Sequence, residues 1–171
     1  MLLSTFVFAA GCSGGGSYAP ASTNPTSNNA TSGGVVTQSA GVLSLPSFNG
    51  FSGAITTPAA SSGAGAQATI VLQTATPAGL PSLSNALVFA SLTLSNSVTF
   101  NGTPGFTLNV PAVPSGTYYI AFYDPAKSSQ GWQLAALGPA TSNGATLSFA
   151  QTSIVTTLNG GVTYWFGLYR G

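Results

Sequence analysis

Short runs of β-branched and aromatic residues recur about every ten residues from Val42 onward, separated by Gly, Pro, Asn and Ser. Such runs are typical of strands, and regular spacing with turn residues between them is typical of an antiparallel β-sandwich. We therefore predict an all-β fold of roughly 8–10 short strands in a single domain, residues 42–171, after a flexible N-terminal segment. The predicted strands are 42–46, 53–58, 67–73, 86–92, 97–100, 105–110, 117–123, 132–137, 145–150 and 162–169.

Two of these runs, TYYIAFY (117–123) and VTYWFGLY (162–169), alternate clearly between bulky apolar residues and others. Successive side chains of a strand point to opposite faces of its sheet. The sets that begin at Tyr118 in the first run and at Val162 in the second are therefore predicted to face the core.

Two other segments carry local signals. Residues 82–92 have leucines at helical spacing, but the adjacent Val88 and Phe89 favour a strand over a helix. The sequence YDPAK (123–127) predicts a type I turn with Asp124 at its first position and a proline at its second.

Charge is almost absent, since Asp124, Lys127 and Arg170 are the only charged side chains and the chain has no histidine. Two isolated cations cannot provide the clustered positive charge that nucleic acids attract, so no nucleic-acid partner is expected. Catalysis by a carboxylate pair, by an activated serine or cysteine, or by a protein-bound metal needs groups that this composition lacks. Lys127, beside a predicted turn, is interpreted as a solvated loop charge. We predict no enzyme activity, no cofactor and no metal site.

The only cysteine, Cys12, follows an apolar stretch and the small residues Ala9, Ala10 and Gly11. This stretch is too short to span a bilayer, which needs about 20 residues, and suits the apolar region of a signal peptide. The sequence AAGC resembles the lipobox of bacterial lipoproteins, although that family prefers leucine where Ala9 stands. The resemblance implies that the Cys12 thiol is acylated and that cleavage occurs before it. The alternative is an unmodified cysteine in an ordinary signal peptide, complete or truncated.

Residues 13–34 are rich in Gly, Ser, Asn and Pro, a composition typical of a tether. We predict a signal peptide at 1–11, a lipid-anchored flexible tether at 12–41 and the sandwich from Val42 onward. Lipoproteins held in the inner membrane tend to carry aspartate after the cysteine, and here Ser13 follows it. The resemblance therefore implies an exported protein on the outer membrane or cell surface, with secretion as the alternative.

The domain itself has a partial resemblance. The stretch SLTLSNSVTFNGTPGFTLNVP (91–111), followed by the YDP…GW turn (123–132), resembles the zonula-occludens/netrin-receptor type β-sandwich of ankyrins. Immunoglobulin-like sandwiches are a close competitor. In the ankyrin-type family, the domain is mostly a protein-interaction module.

Five aromatic residues are candidates for an outer binding surface, because aromatic rings stack on sugars and suit protein interfaces. They are Tyr119, Tyr123, Trp132, Trp165 and Tyr169. The alternative for each is that it packs a sheet or covers an edge. Three functions thus remain open. They are a non-catalytic structural or protein-interaction module of the cell envelope, a carbohydrate-binding module, and a subunit of a surface assembly. In the third, the strand-like residues 34–37 or exposed sheet edges would pair with neighbouring molecules. The expected partners are a membrane, through the anchor, and another envelope protein or a glycan.

We expect the melting temperature to change little between about pH 4 and pH 8. Carboxylates and histidines cause most pH dependence in this range, and Asp124 is the only such side chain. Differential scanning calorimetry across this range measures the effect. A steep loss of stability on acidification would contradict the interpretation.

Overall fold

The computed structural model describes residues 28–110, 116–135, 141–143, 146–149 and 156–171. Cys12, the predicted signal peptide and the first part of the predicted tether lie outside these residues. So do positions 136–137 of the predicted strand 132–137 and positions 145 and 150 of the predicted strand 145–150. Within the described ranges, no helix has the length and apolar character needed to cross a membrane.

The chain is an all-β sandwich, compatible with an immunoglobulin-like one, as the spacing of its apolar runs predicted. The strands are β1 (Asn29–Val35), β2 (Gly41–Phe48), β3 (Phe51–Thr57), β4 (Ala60–Ser62), β5 (Gln67–Gln73), β6 (Ala86–Leu94), β7 (Val98–Phe100), β8 (Gly105–Asn109), β9 (Tyr118–Tyr123), β10 (Gln133–Leu134), β11 (Thr141–Asn143), β12 (Thr146–Phe149), β13 (Thr157–Leu158) and β14 (Thr163–Arg170). A six-stranded sheet has the order β1-β5-β6-β14-β9-β10 and a five-stranded sheet the order β11-β12-β8-β3-β2. A small third sheet has the order β13-β7-β4.

The core lies between the two large sheets, where the inward-facing side chains of each strand meet. Phe106 of the five-stranded sheet packs on Phe166 of the six-stranded sheet, with ring centroids 4.7 Å apart. Phe166 also contacts Phe122, its neighbour on β9, at 5.3 Å. Tilted aromatic pairs of this kind contribute about 0.5–1.5 kcal/mol beyond the area that they bury. These rings therefore join the two sheets near the centre of the sandwich.

The alternation predicted for the two aromatic strands is confirmed. Tyr118, Ile120 and Phe122 on β9 are all at least 95% buried, at 2%, 1% and 5% exposure. On β14, Tyr164 and Leu168 are each 2% exposed. The ambiguous segment forms strand β6 from Ala86 onward, so the strand prediction there is also confirmed.

The YDPAK sequence forms more than the single predicted turn. The Lys127 N–H donates to the Asp124 carbonyl at 2.9 Å, as a type I turn requires. The turn continues into a 3₁₀ helix, Pro125–Gln130, whose start is capped by the Asp124 side chain accepting from the Ala126 N–H. Lys127 is exposed on this helix.

The sandwich begins earlier than predicted, because β1 lies within the segment 12–41 that was assigned to the tether. β1 reads NATSGGV and pairs in continuous register with β5 from Asn29–Gln73 to Val35–Gln67. Its composition resembles that of the preceding Gly/Ser/Asn/Pro-rich residues. The reason is that an edge strand is held mainly by backbone hydrogen bonds and needs few apolar side chains. Three short strands were not predicted either, because they are too short to show alternation. They are β4 and β11, with three residues each, and β13, with two.

Gly53 is the glycine in β3 that allows a close backbone approach. Its φ is 155°, and a Cβ atom there would lie 2.1 Å from the Thr107 carbonyl oxygen on β8. The neighbouring backbone cannot move aside without breaking the pairing of β3 with β8. The absence of a side chain at Gly53 is therefore a requirement of the five-stranded sheet.

We expect Gly53→Ala to lower the free energy of unfolding by about 2–5 kcal/mol, through backbone strain and steric overlap. The matched control is Gly33→Ala in β1, where the added Cβ meets only the Ala68 carbonyl oxygen at 3.6 Å. The control should change stability by less than about 1 kcal/mol. Chemical denaturation of both variants measures the difference, and equal effects would contradict this account of Gly53.

Candidate functional site

All five predicted surface aromatics lie on one face, the outer side of the six-stranded sheet. Tyr119 and Tyr169 are paired residues of β9 and β14, and so are Tyr123 and Trp165. Trp132, which immediately precedes β10, reaches the same face and packs against Tyr123 with ring centroids 5.6 Å apart. We call these five residues the aromatic face.

The aromatic face is divided by a row of small residues. Ala121 and Gly167 are paired between its two ends, and Gly167 is also paired with Phe89 of β6. The space above Gly167 is filled by Leu83, whose Cδ2 would lie 2.5 Å from a Cβ atom at that glycine. Leu83 belongs to residues 74–85, the covering loop between β5 and β6. The loop thus crosses the middle of the face.

One end of the face is a second, smaller apolar core. The Trp132 Nε1–H donates to the Pro81 carbonyl in the covering loop at 2.7 Å. The same ring packs on Phe89, at 5.7 Å, and Phe89 is only 1% exposed. Tyr123 is 7% exposed, whereas Trp132 and Trp165 are half-buried. At this end the rings hold the covering loop on the sheet.

The other end of the face is formed by Tyr119 and Tyr169, which stack with centroids 5.6 Å apart and an interplanar angle of 29°. Both are half-buried. Burial raises the pKa of the Tyr169 phenol above 10.0, and the neighbouring Tyr119 raises it further. The reason is that both a less polar environment and a second phenolate disfavour the charged form.

A groove of about 410 Å³ lies where β6 and β9 begin and β14 ends. Its lining residues are Asn85, Ala86, Leu87, Tyr118, Arg170 and Gly171. Asn85 has a φ of 54°, and its side-chain amide donates to the Arg170 carbonyl at 3.3 Å. The exposed Arg170 guanidinium supplies hydrogen-bond donors at this end of the sheet. Sequence reasoning missed the groove because no local pattern links positions 85 and 170.

The charged residues lie in two regions of the fold: Asp124 and Lys127 at the 3₁₀ helix, and Arg170 at the end of β14. Asp124 is 7% exposed, and one of its carboxylate oxygens accepts from the Ala126 N–H at 3.0 Å, so this carboxylate serves as a cap. Across the described ranges, no three His, Cys, Asp or Glu side chains lie together in a group that could hold a metal ion.

Sequence reasoning did not predict that the covering loop packs on the aromatic face. Leu83 was considered only as part of residues 82–92, where a helix and a strand were weighed, and Pro81 lay outside every predicted strand. Their contacts with Trp132 and Gly167 join positions roughly 50 and 84 residues apart in the chain. The repeated prolines of this segment indicate a loop, but they do not indicate what the loop covers.

We expect Tyr119→Phe to lower the pKa of Tyr169 toward 10.0, because the Coulombic effect of Tyr119 is removed while burial remains. The matched control, Tyr123→Phe, removes a phenol from the same strand and should leave the titration of Tyr169 unchanged. NMR of ¹³Cζ-labelled tyrosine measures both. An unaltered Tyr169 pKa in Tyr119→Phe would contradict the coupling.

The raised pKa of Tyr169 also sets the sign of its effect on stability. The unfolded chain loses the phenol proton at a lower pH than the folded chain. The contribution of Tyr169 to the free energy of unfolding is therefore fully present below the unfolded pKa of about 10. It is lost as the pH rises through the folded pKa.

Comparisons with protein-family models, with curated proteins and with solved structures find no match for this chain.

Proposed function

We propose that this chain is a surface-anchored lipoprotein without catalytic activity, serving as a structural or protein-interaction module of the cell envelope. One observation carries the proposal: the only cysteine follows an apolar stretch and small residues, and a Gly/Ser/Asn/Pro-rich segment leads from it to the sandwich. This order of segments is the one expected for a folded domain attached to a membrane through acylated Cys12.

The position of the first strand adds to this argument. Residues 13–28 separate Cys12 from the start of β1 at Asn29, a spacer of 16 residues. A Gly/Ser-rich coil of that length has an r.m.s. end-to-end distance of about 20–24 Å. An anchor at Cys12 would therefore hold the sandwich close to the membrane surface.

The acyl chains would supply the binding energy that the protein surface does not. Each CH₂ group buried in a bilayer contributes about 0.8 kcal/mol, and two or more acyl chains give stable anchoring. A net charge of +1 offers little attraction to anionic lipids. Membrane attachment would therefore depend on Cys12 alone.

The sandwich fits an interaction role better than a sugar-binding role. The resemblance to the ankyrin-type domain implies a protein-interaction module, and the fold is compatible with the immunoglobulin-like sandwiches that compete with it. Carbohydrate binding needs exposed rings, whereas Tyr123 is buried and the Trp132 N–H already donates to Pro81. Tyr119 and Tyr169 use part of their ring surface on each other.

Intact-mass analysis of the detergent-extracted membrane fraction tests the anchor. We expect a mature chain that begins at Cys12 and carries fatty-acyl mass. Cys12→Ala should lack this mass and leave the membrane fraction, because the acylated thiol is gone. The matched control, Ser13→Ala, keeps the cysteine and should behave as the natural chain does. An unmodified natural chain recovered in the medium would overturn the proposal in favour of a secreted protein.

A further inference from the structure

Strand β1 lies at one end of the six-stranded sheet, so among the described strands only β5 pairs with it. One side of β1 pairs with β5 over seven consecutive residue pairs, without a register shift. Among the strands that the structure describes, none pairs with the outer side of β1. The open side of such a strand presents backbone N–H and C=O groups that another strand can pair with.

The other three edges of the two large sheets are each protected. Within the described ranges, β10 is only two residues long and β11 only three. β2 is eight residues long but contains Pro46, and a register shift lies between Leu45 and Phe48. Short length, proline and bulges are devices by which proteins prevent edge-to-edge pairing. β1 has seven residues, no proline, no bulge and no charge.

The surroundings of β1 also offer no electrostatic barrier to a second copy. Asp124 is the first charged residue of the chain, so neither β1 nor its neighbours β2 and β5 carry any charge. Val35 on β1 is 48% exposed, and Val42 on the adjacent β2 is 63% exposed. The Ser32 hydroxyl donates to the Ser44 carbonyl at 2.7 Å and fixes β1 against β2. The edge is thus uncharged, partly apolar and held in place.

We propose that β1 is a self-association edge that pairs antiparallel with β1 of a second copy of this chain. Two identical strands related by a twofold axis offer each other the same donors and acceptors, so the edge is complementary to itself. The pairing would join two six-stranded sheets into one continuous sheet of twelve strands. The inference names the partner of the proposed interaction module and rests on that part of the proposed function, but it does not require the lipid anchor.

Two copies could pair in this way on one membrane. β1 is about 23 Å long at 3.3 Å per residue, so antiparallel pairing separates the two N-terminal ends by about that distance. A Gly/Ser-rich coil of 16 residues, the length of the segment between Cys12 and β1, would have a comparable reach. Both cysteines could therefore attach to the same surface.

Sedimentation velocity over a range of protein concentrations tests the proposal. The full chain is used with Cys12→Ala, so that neither acyl chains nor a disulfide can link copies. We expect a reversible monomer–dimer equilibrium. Thr31→Lys and Thr31→Glu place a charge on exposed Thr31 of β1. Full antiparallel overlap sets Thr31 opposite Gly33 of the second copy, so the two like charges become diagonal neighbours on one face of the sheet. Each variant should therefore weaken the dimer about two- to fivefold. An equimolar mixture of the two variants should restore dimers.

The matched control is Thr56→Lys, which adds the same charge at an exposed position of β3, an interior strand of the other sheet. It should dimerise as the parent does. Thermal melting of every variant confirms that the sandwich is folded. Two results would overturn the inference: a monomer at all concentrations, or a dimer that Thr31→Lys and Thr31→Glu leave unchanged. The edge would then pair with another protein or with the N-terminal residues of the same chain.

Amide hydrogen exchange of the Cys12→Ala chain gives an independent readout without any charged variant. Protection within residues 30–35 should rise with protein concentration, whereas protection in β3 should not. Concentration-independent exchange at these residues would overturn the inference. The two proposals can fail separately. If the natural chain is acylated but its Cys12→Ala form stays monomeric, only the self-association is contradicted. If the Cys12→Ala form dimerises but the natural chain is unmodified, only the anchor is contradicted.

Discussion

The packing of one large sheet on the other is the interaction on which the rest of the structure depends. With three charged side chains in 171 residues, ion pairs cannot supply much of the stability, so buried apolar side chains and strand pairing must supply it. Phe166 is central to this packing, because it contacts Phe106 across the sandwich and Phe122 within its own sheet. The same strand presents Trp165 and Tyr169 on its opposite side. One strand thus both joins the two sheets and supplies two rings of the aromatic face.

The sequence was most informative where alternation and β propensity agree. β5 has the predicted bounds 67–73, and β9 and β14 differ from prediction by one residue at their ends. β1 was not predicted as a strand of the sandwich, although residues 34–37 at its end were recognised as strand-like. NATSGGV has no apolar alternation, and its partner β5 starts 38 residues after Asn29. The short strand β10 is a further difference, since the run 132–137 suggested a longer one and only Gln133–Leu134 form it in the described part. Backbone pairing between distant segments leaves little trace in local composition.

The candidate site was predicted in part for a related reason. Strand alternation placed Tyr119 and Tyr123 on the outer face of one strand and Trp165 and Tyr169 on the outer face of another. The structure shows that the two strands are neighbours, so these rings share one face, and it brings Trp132 to them. The ring surface left for a partner depends on the covering loop, which no periodicity could reveal. Leu83 separates the two ends of the face, and Pro81 binds the indole of Trp132. Aromatic composition alone would therefore overestimate the surface available for recognition. The proposed self-association instead uses the outer edge of β1, with which none of the described strands pairs.

The position of β14 within the six-stranded sheet has a consequence for the order of assembly. β14 is the last strand along the chain, yet it lies between β6 and β9 and pairs with both. During synthesis from the N-terminus, β1, β5 and β6 emerge well before the strand that links them to β9 and β10. Contacts between such distant segments make folding slow. Since residues 163–170 supply the strand that joins β6 to β9, the six-stranded sheet cannot be complete before that segment has been synthesised.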